Sequence, residues 1–289
     1  MKGILVFVSV LWMFTFCQGS QLLAQNTPVE PVMLPRDKEI VEDVLKRLKG
    51  DQKLETGLLV LKAGTLFLGT PYVANTLEVG GKEKMVINLR ELDCTTFAEN
   101  CLALARTIQK ENPTFNDFVD ELKFIRYRDG ILNEYPSRLH YFSDWIFNND
   151  KKKIVKSVSR EIANVSFPNK VSFMSQHPED YPALKTKPDF VKEIALQENE
   201  ISARSSWYIP KSRLFEFEHL LRDGDIIGIT TNIPGMDISH VIIAMHKNGR
   251  VHLLNASSKH KKVVISEETL EQYLNNYKST TGIMVARPL

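Results

Sequence analysis

The stretch SHVIIAMHKNGRVHLLNASS, residues 239–258, restricts the fold more than any other part of the chain. Asn248-Gly249 stands between two apolar runs, and this dipeptide suits a two-residue hairpin turn because both of its positions need a positive φ. Such a turn sets the register of the whole hairpin: Lys247 faces Arg250, Met245 faces His252, Ile242 faces Asn255 and His240 faces Ser257. His240 and Asn255 then share one face as diagonal neighbours, with Cα atoms about 7–8 Å apart and side chains within reach of each other. His252 points to the opposite face. His246 shares the face of His240 but lies roughly 20 Å further along the strand.

Residues 223–231 (DGDIIGITT), 261–269 (KKVVISEET) and 280–288 (TTGIMVARP) read as further strands. Ahead of them the pattern is helical. DKEIVEDVLKRLKG places Ile40, Val44, Leu45 and Leu48 on one stripe and stops at Gly50. LETGLLVLKAGTLFLG ends at Gly69, before a Thr-Pro turn and Tyr72, and residues 73–90 hold strand-like and loop-like pieces. In LRELDCTTFAENC, Asp93 is a suitable N-cap, and Phe97, Cys101, Leu104 and Ile108 follow at helical spacing until Pro113. Between 113 and 210 the composition shifts to aromatics, Pro, Ser and charges, which reads as an insertion of helices and irregular segments. Within it Leu139, Phe142 and Ile146 form a helical stripe that Ser137 could cap. Helices first and an antiparallel sheet last is an α+β order.

The first residues, MKGILVFVSVLWMFTFCQGSQLLAQ, have the charged, apolar and small-residue parts of a secretory signal peptide, with cleavage after Gly19 or Ala24. The expectation is a signal segment 1–24, then a single catalytic domain 25–289 with core segments 55–112 and 211–289 and an insertion at about 113–210. The apolar run Ile4–Phe16 is short of the roughly 20 residues of a membrane span, so no span is expected after cleavage. Phe14, Thr15 and Phe16 before Cys17 are unlike a lipid-attachment site. The product would be exported: to the periplasm in a cell with an outer membrane, otherwise to the wall or the medium. The 37 basic and 35 acidic side chains nearly cancel, which argues against a nucleic-acid partner.

Removing the signal leaves Cys94 and Cys101. On one helix their Cα atoms would be about 10.5 Å apart, beyond the ~7 Å limit for a disulfide. The positive end of the helix would stabilise a thiolate at Cys94. Position alone is equally consistent with a small buried apolar residue. With His240 as base and Asn255 to fix its tautomer, the set becomes a Cys-His hydrolytic site; Ser257 competes with Asn255 for the third place. No His-Glu-x-x-His, paired Cys-x-x-Cys or phosphate-cradling glycine loop is present, and neither metal nor organic cofactor is expected.

Gly69-Thr-Pro-Tyr72, Asp93-Cys94-Thr-Thr-Phe97, the DGDII segment, Ser239-His240-Val241 and Asn255-Ala-Ser-Ser together resemble the NlpC-type cell-wall hydrolases. The segment PSRLHYFSDWIFNN resembles the branch described as N-acetylmuramoyl-L-alanine amidase-like. The resemblance implies a papain-like core, a helix bearing the Cys packed on a sheet bearing the His. It implies peptidoglycan or muropeptide fragments as substrate, and Cys94, His240 and Asn255 as catalytic residues. Many members have His where this chain has Asn255. Substrate contacts are expected from Tyr72, Asp93, Arg138, His140, Tyr141, Trp145 and Ser239, with Arg138 suited to a carboxylate and Trp145 to a sugar face. Packing or surface roles suit the four residues of the insertion as well. The expected reaction is cleavage between N-acetylmuramic acid and L-alanine. Tyr72 and Asp93 fit the alternative, a γ-D-glutamyl-diamino-acid endopeptidase, and a non-catalytic module that binds wall fragments is the alternative of a different class.

Overall fold

The computed structural model describes residues 30–168 and 170–289; the expected signal segment lies outside them. Helix α1 (Pro35–Arg47) opens on a proline and buries Val41, Val44 and Leu45, with Ile40 only half-buried. Helices α2 (Thr56–Leu66), α3 (Cys94–Ile108) and α4 (Phe115–Arg126) follow. Residues 73–90 form no regular strand; Val86 makes a single bridge to Val32, and on either side of the segment Tyr72 bridges Leu92. The middle of the chain supplies α5 (Phe142–Lys151), β1 (Val155–Ser157), α6 (Ser159–Ala163), β2 (Val165–Ser166), α7 (Phe173–Gln176), α8 (Pro182–Thr186), α9 (Pro188–Ala203) and β3 (Trp207–Pro210). It ends with α10 (Leu214–Phe217), β4 (Ile226–Thr231), β5 (Ile238–Lys247), β6 (Arg250–Ser257), β7 (Lys262–Thr269), α11 (Leu270–Asn276) and β8 (Thr280–Pro288).

The sheet is antiparallel in the order β2-β3-β8-β4-β5-β6-β7, with β1 also on β8. The order of helices and sheet is therefore α+β, as the sequence pattern predicts. The stretch 113–210 is not only helices and loops: β1, β2 and β3, at most four residues each, join the sheet. The β5–β6 register is the one dictated by the Asn248-Gly249 turn, with Lys247 opposite Arg250 and Met245 opposite His252. The expected cap at Ser137 is replaced: Tyr141 precedes the first turn of α5, Leu139 lies outside the helix, and the Ser137 hydroxyl donates to the Glu134 carbonyl.

Helix α3 is buried on almost every side, not along one stripe, because α1, α2 and α4 pack around the part that the sheet leaves open. Its contact with α2 and the sheet is close: a Cβ at Gly64 would come within 2.8 Å of Leu254 and 3.2 Å of the Phe97 ring. Leu254 and Ile243 mark the sheet face that meets α2 and α3. The alternate side chains Ile242 and Leu253 meet Leu270 and Leu274 of α11 on the other face.

Two buried charges tie the helices to the chain ahead of α3. Arg126 and Glu99, 2% and 3% exposed, pair at 2.7 Å, and Arg126 also donates to the Val86 carbonyl at 2.7 Å. Asp37, fully buried, accepts from the backbone of Leu34 and Leu89 and from Arg90. A buried pair loses much more when one partner is removed than when both are. Arg126→Met alone should therefore cost about 3–5 kcal/mol in urea unfolding, and a Glu99→Leu/Arg126→Met protein should recover a large part of that loss.

Candidate active site

The first turn of α3 is set by a reciprocal cap. The Asp93 Oδ1 atom accepts from the Thr96 amide at 2.7 Å and from the Thr96 hydroxyl at 2.9 Å, while the Asp93 amide donates to Thr96 Oγ1 at 3.0 Å. The helix therefore begins at Cys94, whose partly exposed thiol sits at its positive end. The amides of Cys94 and Thr95 precede the first intrahelical donor, Phe97, which donates to the Asp93 carbonyl. Cys101 is fully buried, and burial pushes its thiol well above the ordinary range. The two cysteines are both free.

His240 belongs to the β5 side chains that include Ile242 and face α11, and it stacks on Tyr273 with ring centroids 6.2 Å apart. It is thus not on the face where Phe97 meets Ile243; Cys94 reaches it from the first turn of α3 and not through the packed stripe. On one side His240 Nε2 lies 2.9 Å from Asn255 Oδ1. The Asn255 amide group donates to the Leu253 carbonyl at 3.1 Å, which assigns Oδ1 as acceptor and Nε2 as the protonated nitrogen. Nδ1 is left for the Cys94 thiol, which lies close enough to act on the imidazole. Burial of the imidazole opposes its charge, but the Cys94 charge and the hydrogen bonds with Cys94 and Asn255 outweigh it and raise the His240 pKa. The polar contact of the His240 ring is with Asn255, while the Ser257 hydroxyl accepts from the His260 amide.

Tyr72 and Asp93 lie beside this pair. The Tyr72 amide donates to the Lys261 carbonyl, and Leu92 and Val73 pair across the same bridge, which brings the start of α3 next to Tyr72. Burial, with Cys94 and Asp93 close by, raises the Tyr72 pKa. Tyr273 also neighbours Cys94, and burial, Tyr277 and Cys94 push its hydroxyl up to about 12. Ser239, exposed, lines a cavity with His240 and Asn255. Sequence reasoning missed Tyr273, on the short helix α11 after β7, and Tyr277, just past its end; their four-residue spacing was the available signal.

The four expected substrate contacts from the insertion have partners within the protein. Arg138 is held by Glu83 at 2.8 and 2.9 Å and by Glu78 at 2.8 Å, over the Tyr135 ring. His140 contacts the Tyr135 carbonyl at 3.0 Å, and burial beside Arg138 pushes its pKa down to about 3. The Tyr141 hydroxyl donates to Glu198 at 2.6 Å in a buried cluster with Met174 and Ile194. Trp145 stacks on Phe142 at 5.5 Å and is buried. Among the described residues no three His, Cys, Asp or Glu side chains are grouped to hold a metal ion, and no helix is long and apolar enough to cross a membrane.

Comparison with known proteins adds a family. A model described as AmiA-like, N-acetylmuramoyl-L-alanine amidase-like, matches residues 62–283. An N-acetylmuramoyl-L-alanine amidase from Bacteroides uniformis ATCC 8492 is 39% identical, with 81% of this chain and 99% of that one covered and a TM-score of 0.77. A Bacteroides fragilis protein named as a candidate xylanase is 43% identical over 78% of this chain and 99% of its own, with a TM-score of 0.75. A DUF1460 protein from Legionella pneumophila shares the fold at 21% identity, over 88% and 95% of the two chains, with a TM-score of 0.65. No curated protein matches the chain in sequence. Matched over most of its length, the chain belongs to the AmiA-like, N-acetylmuramoyl-L-alanine amidase-like family.

Proposed function

We propose that the protein is an exported peptidoglycan hydrolase with a papain-like core, cleaving the amide between the lactyl group of N-acetylmuramic acid and L-alanine. The observation that carries this reading is the grouping of Cys94, His240 and Asn255, a thiol at a helix start beside an imidazole whose far nitrogen is held by an amide. The names of the family and of the Bacteroides uniformis relative support the substrate. A single catalytic domain over 25–289 and removal of a signal at 1–24 complete the proposal.

In the reaction, the Cys94 thiol gives its proton to His240 Nδ1 and Sγ attacks the lactyl carbonyl carbon, whose oxygen gains negative charge. The amides of Cys94 and Thr95, which have no acceptor among the described residues, are the available donors to that oxygen. The carbon–nitrogen bond breaks as His240 gives its proton to the departing L-alanine nitrogen, leaving a thioester on Cys94. Water then gives one proton to His240 and its oxygen attacks the thioester, so that the carbon–sulfur bond breaks to the thiolate and the lactyl carboxylic acid loses its remaining proton to solvent. Asn255 holds the ring throughout.

The xylan-directed name of the second relative is less well supported here. A glycosidase normally needs two facing carboxyl groups. At this site Asp93 caps α3 and Glu268 accepts from Asn276. The endopeptidase reading has a specific basis, since Tyr72 and Asp93 lie beside Cys94 and could hold a free amine.

Digestion of defined muropeptides separates these readings: release of an intact stem peptide beginning with L-alanine is expected by mass, and release of an L-alanyl-D-glutamate dipeptide would replace the amidase with the endopeptidase. Cys94→Ala should retain its fold and lose turnover by about a thousandfold or more. Iodoacetamide should modify Cys94 much faster than the buried Cys101; equal, slow reaction would favour a non-catalytic binding module.

The raised His240 pKa gives a pH signature. The imidazolium persists to higher pH than an ordinary histidine and is lost as pH rises through the folded-state value, so that loss forms the alkaline limb of kcat/KM. Asn255→Ala removes one of the raising interactions. It should move the limb to lower pH and reduce kcat about tenfold or more, and an unmoved limb would show that Asn255 does not tune His240.

A further inference from the structure

In the proposed reaction the departing nitrogen takes its proton from His240, so the peptide attached to that nitrogen extends on the imidazole's side of the site. A cavity of about 230 Å³ adjoins His240 and Asn255 there, and Cys94 is not part of its wall. Its wall is rich in hydroxyls, among them Ser239, Ser266 and Tyr277, and its charge is divided. Glu268 lies at the end of β7 and is already engaged by the Asn276 amide at 2.8 Å. Lys259 and His260 stand at the opposite end, on the turn between β6 and β7.

That turn continues into Lys261 and Lys262, and among the described residues neither the three lysines nor His260 has an ion-pair partner. This contrasts with Arg126, Arg138 and Arg287, each held by a carboxylate. The turn is also fixed in place. The Tyr72 amide donates to the Lys261 carbonyl at 3.0 Å, and the His260 amide donates to Ser257 Oγ at 3.2 Å. With its backbone braced, the turn has only side chains left to order when an anion arrives.

We propose that this cavity is the subsite for the leaving peptide, and that Lys259 and His260 bind a free carboxylate on the residue following the released alanine. The preferred substrate class is then an acidic peptide whose carboxylate is free, not amidated. The inference rests on the cleavage reading of the preceding subsection, which fixes the direction in which the peptide leaves. Bonds to a carboxylate from charged donors are strong enough for such a group to be distinguished from its amide about tenfold.

The test measures binding without turnover. Full-length Cys94→Ala protein is titrated calorimetrically with L-alanyl-γ-D-glutamyl-L-lysine and with the same peptide carrying the α-amide. The acid should bind about tenfold more tightly, and the ratio should collapse to near one when Lys259→Ala and His260→Ala are added. An unchanged unfolding midpoint certifies that the added substitutions, both on exposed residues, leave the fold intact. A ratio near one before those substitutions, or a ratio that survives them, overturns the subsite. Muropeptide digestion by the unsubstituted protein is read separately. Acid-selective binding without release of stem peptide supports the subsite and overturns the cleavage reading; release of stem peptide with no acid preference overturns the subsite alone.

Discussion

The reciprocal hydrogen bonds between Asp93 and Thr96 decide where α3 begins, and much of the site follows from that single boundary. Each residue of an α-helix turns about 100°, so starting the helix one residue earlier or later would rotate every side chain by that amount. Phe97 would leave its place against Phe67 and Gly64, and Glu99 would leave Arg126. Because α3 is enclosed on almost all sides, no neighbouring rotation is tolerated, and the thiol at position 94 has one direction in which to point.

The imidazole is positioned by quite different means. Its place along β5 follows from a two-residue turn that starts eight residues beyond it, and its ring contacts Asn255 and Tyr273. The two halves of the site thus come from distant parts of the chain and are aligned through rigid elements. The bridge from Tyr72 to Leu92, and the bond from Tyr72 to Lys261, join the residue just before the helix cap to the β6–β7 turn. This short segment connects the thiol side to the imidazole side directly, not through the core.

The parts legible in the sequence were those fixed by local chemistry. Asn248-Gly249 specified its own turn and hence the His240–Asn255 neighbourhood, and an aspartate ahead of an apolar helical repeat specified the cap. The strands β1, β2 and β3 were not legible, because two to four residues are too few to display a period of two. Ser137 was misread as a cap because its hydroxyl has several backbone partners within reach, and only the folded chain selects the Glu134 carbonyl. For Arg138 and Tyr141 the sequence could state the chemistry but not the partner: Glu78, Glu83 and Glu198 lie 55 to 60 residues away. Tyr273 was hidden for the same reason, since it meets His240 only after the chain has returned through two strands.

Charge in this protein is divided between construction and recognition, and pairing marks the division. Several buried or half-buried arginines of the insertion and of the helical half are used in construction: Arg138 braces the loop through Glu78 and Glu83, Arg128 and Arg204 both neutralise the buried Asp144, and Arg126 anchors α3. A guanidinium held by two carboxylates has little field left for a ligand, and withdrawing it would strand buried anions. Such groups shape the walls of a site and contribute little to its selectivity. The lysines of the β6–β7 turn are of the other kind, exposed, without an ion-pair partner among the described residues, and on a segment held beside His240 by the same Tyr72 contact that aligns the cap of α3. An anion arriving there displaces only water, which is why selectivity for the departing peptide is to be sought at this turn and not in the more conspicuous polar residues of the insertion.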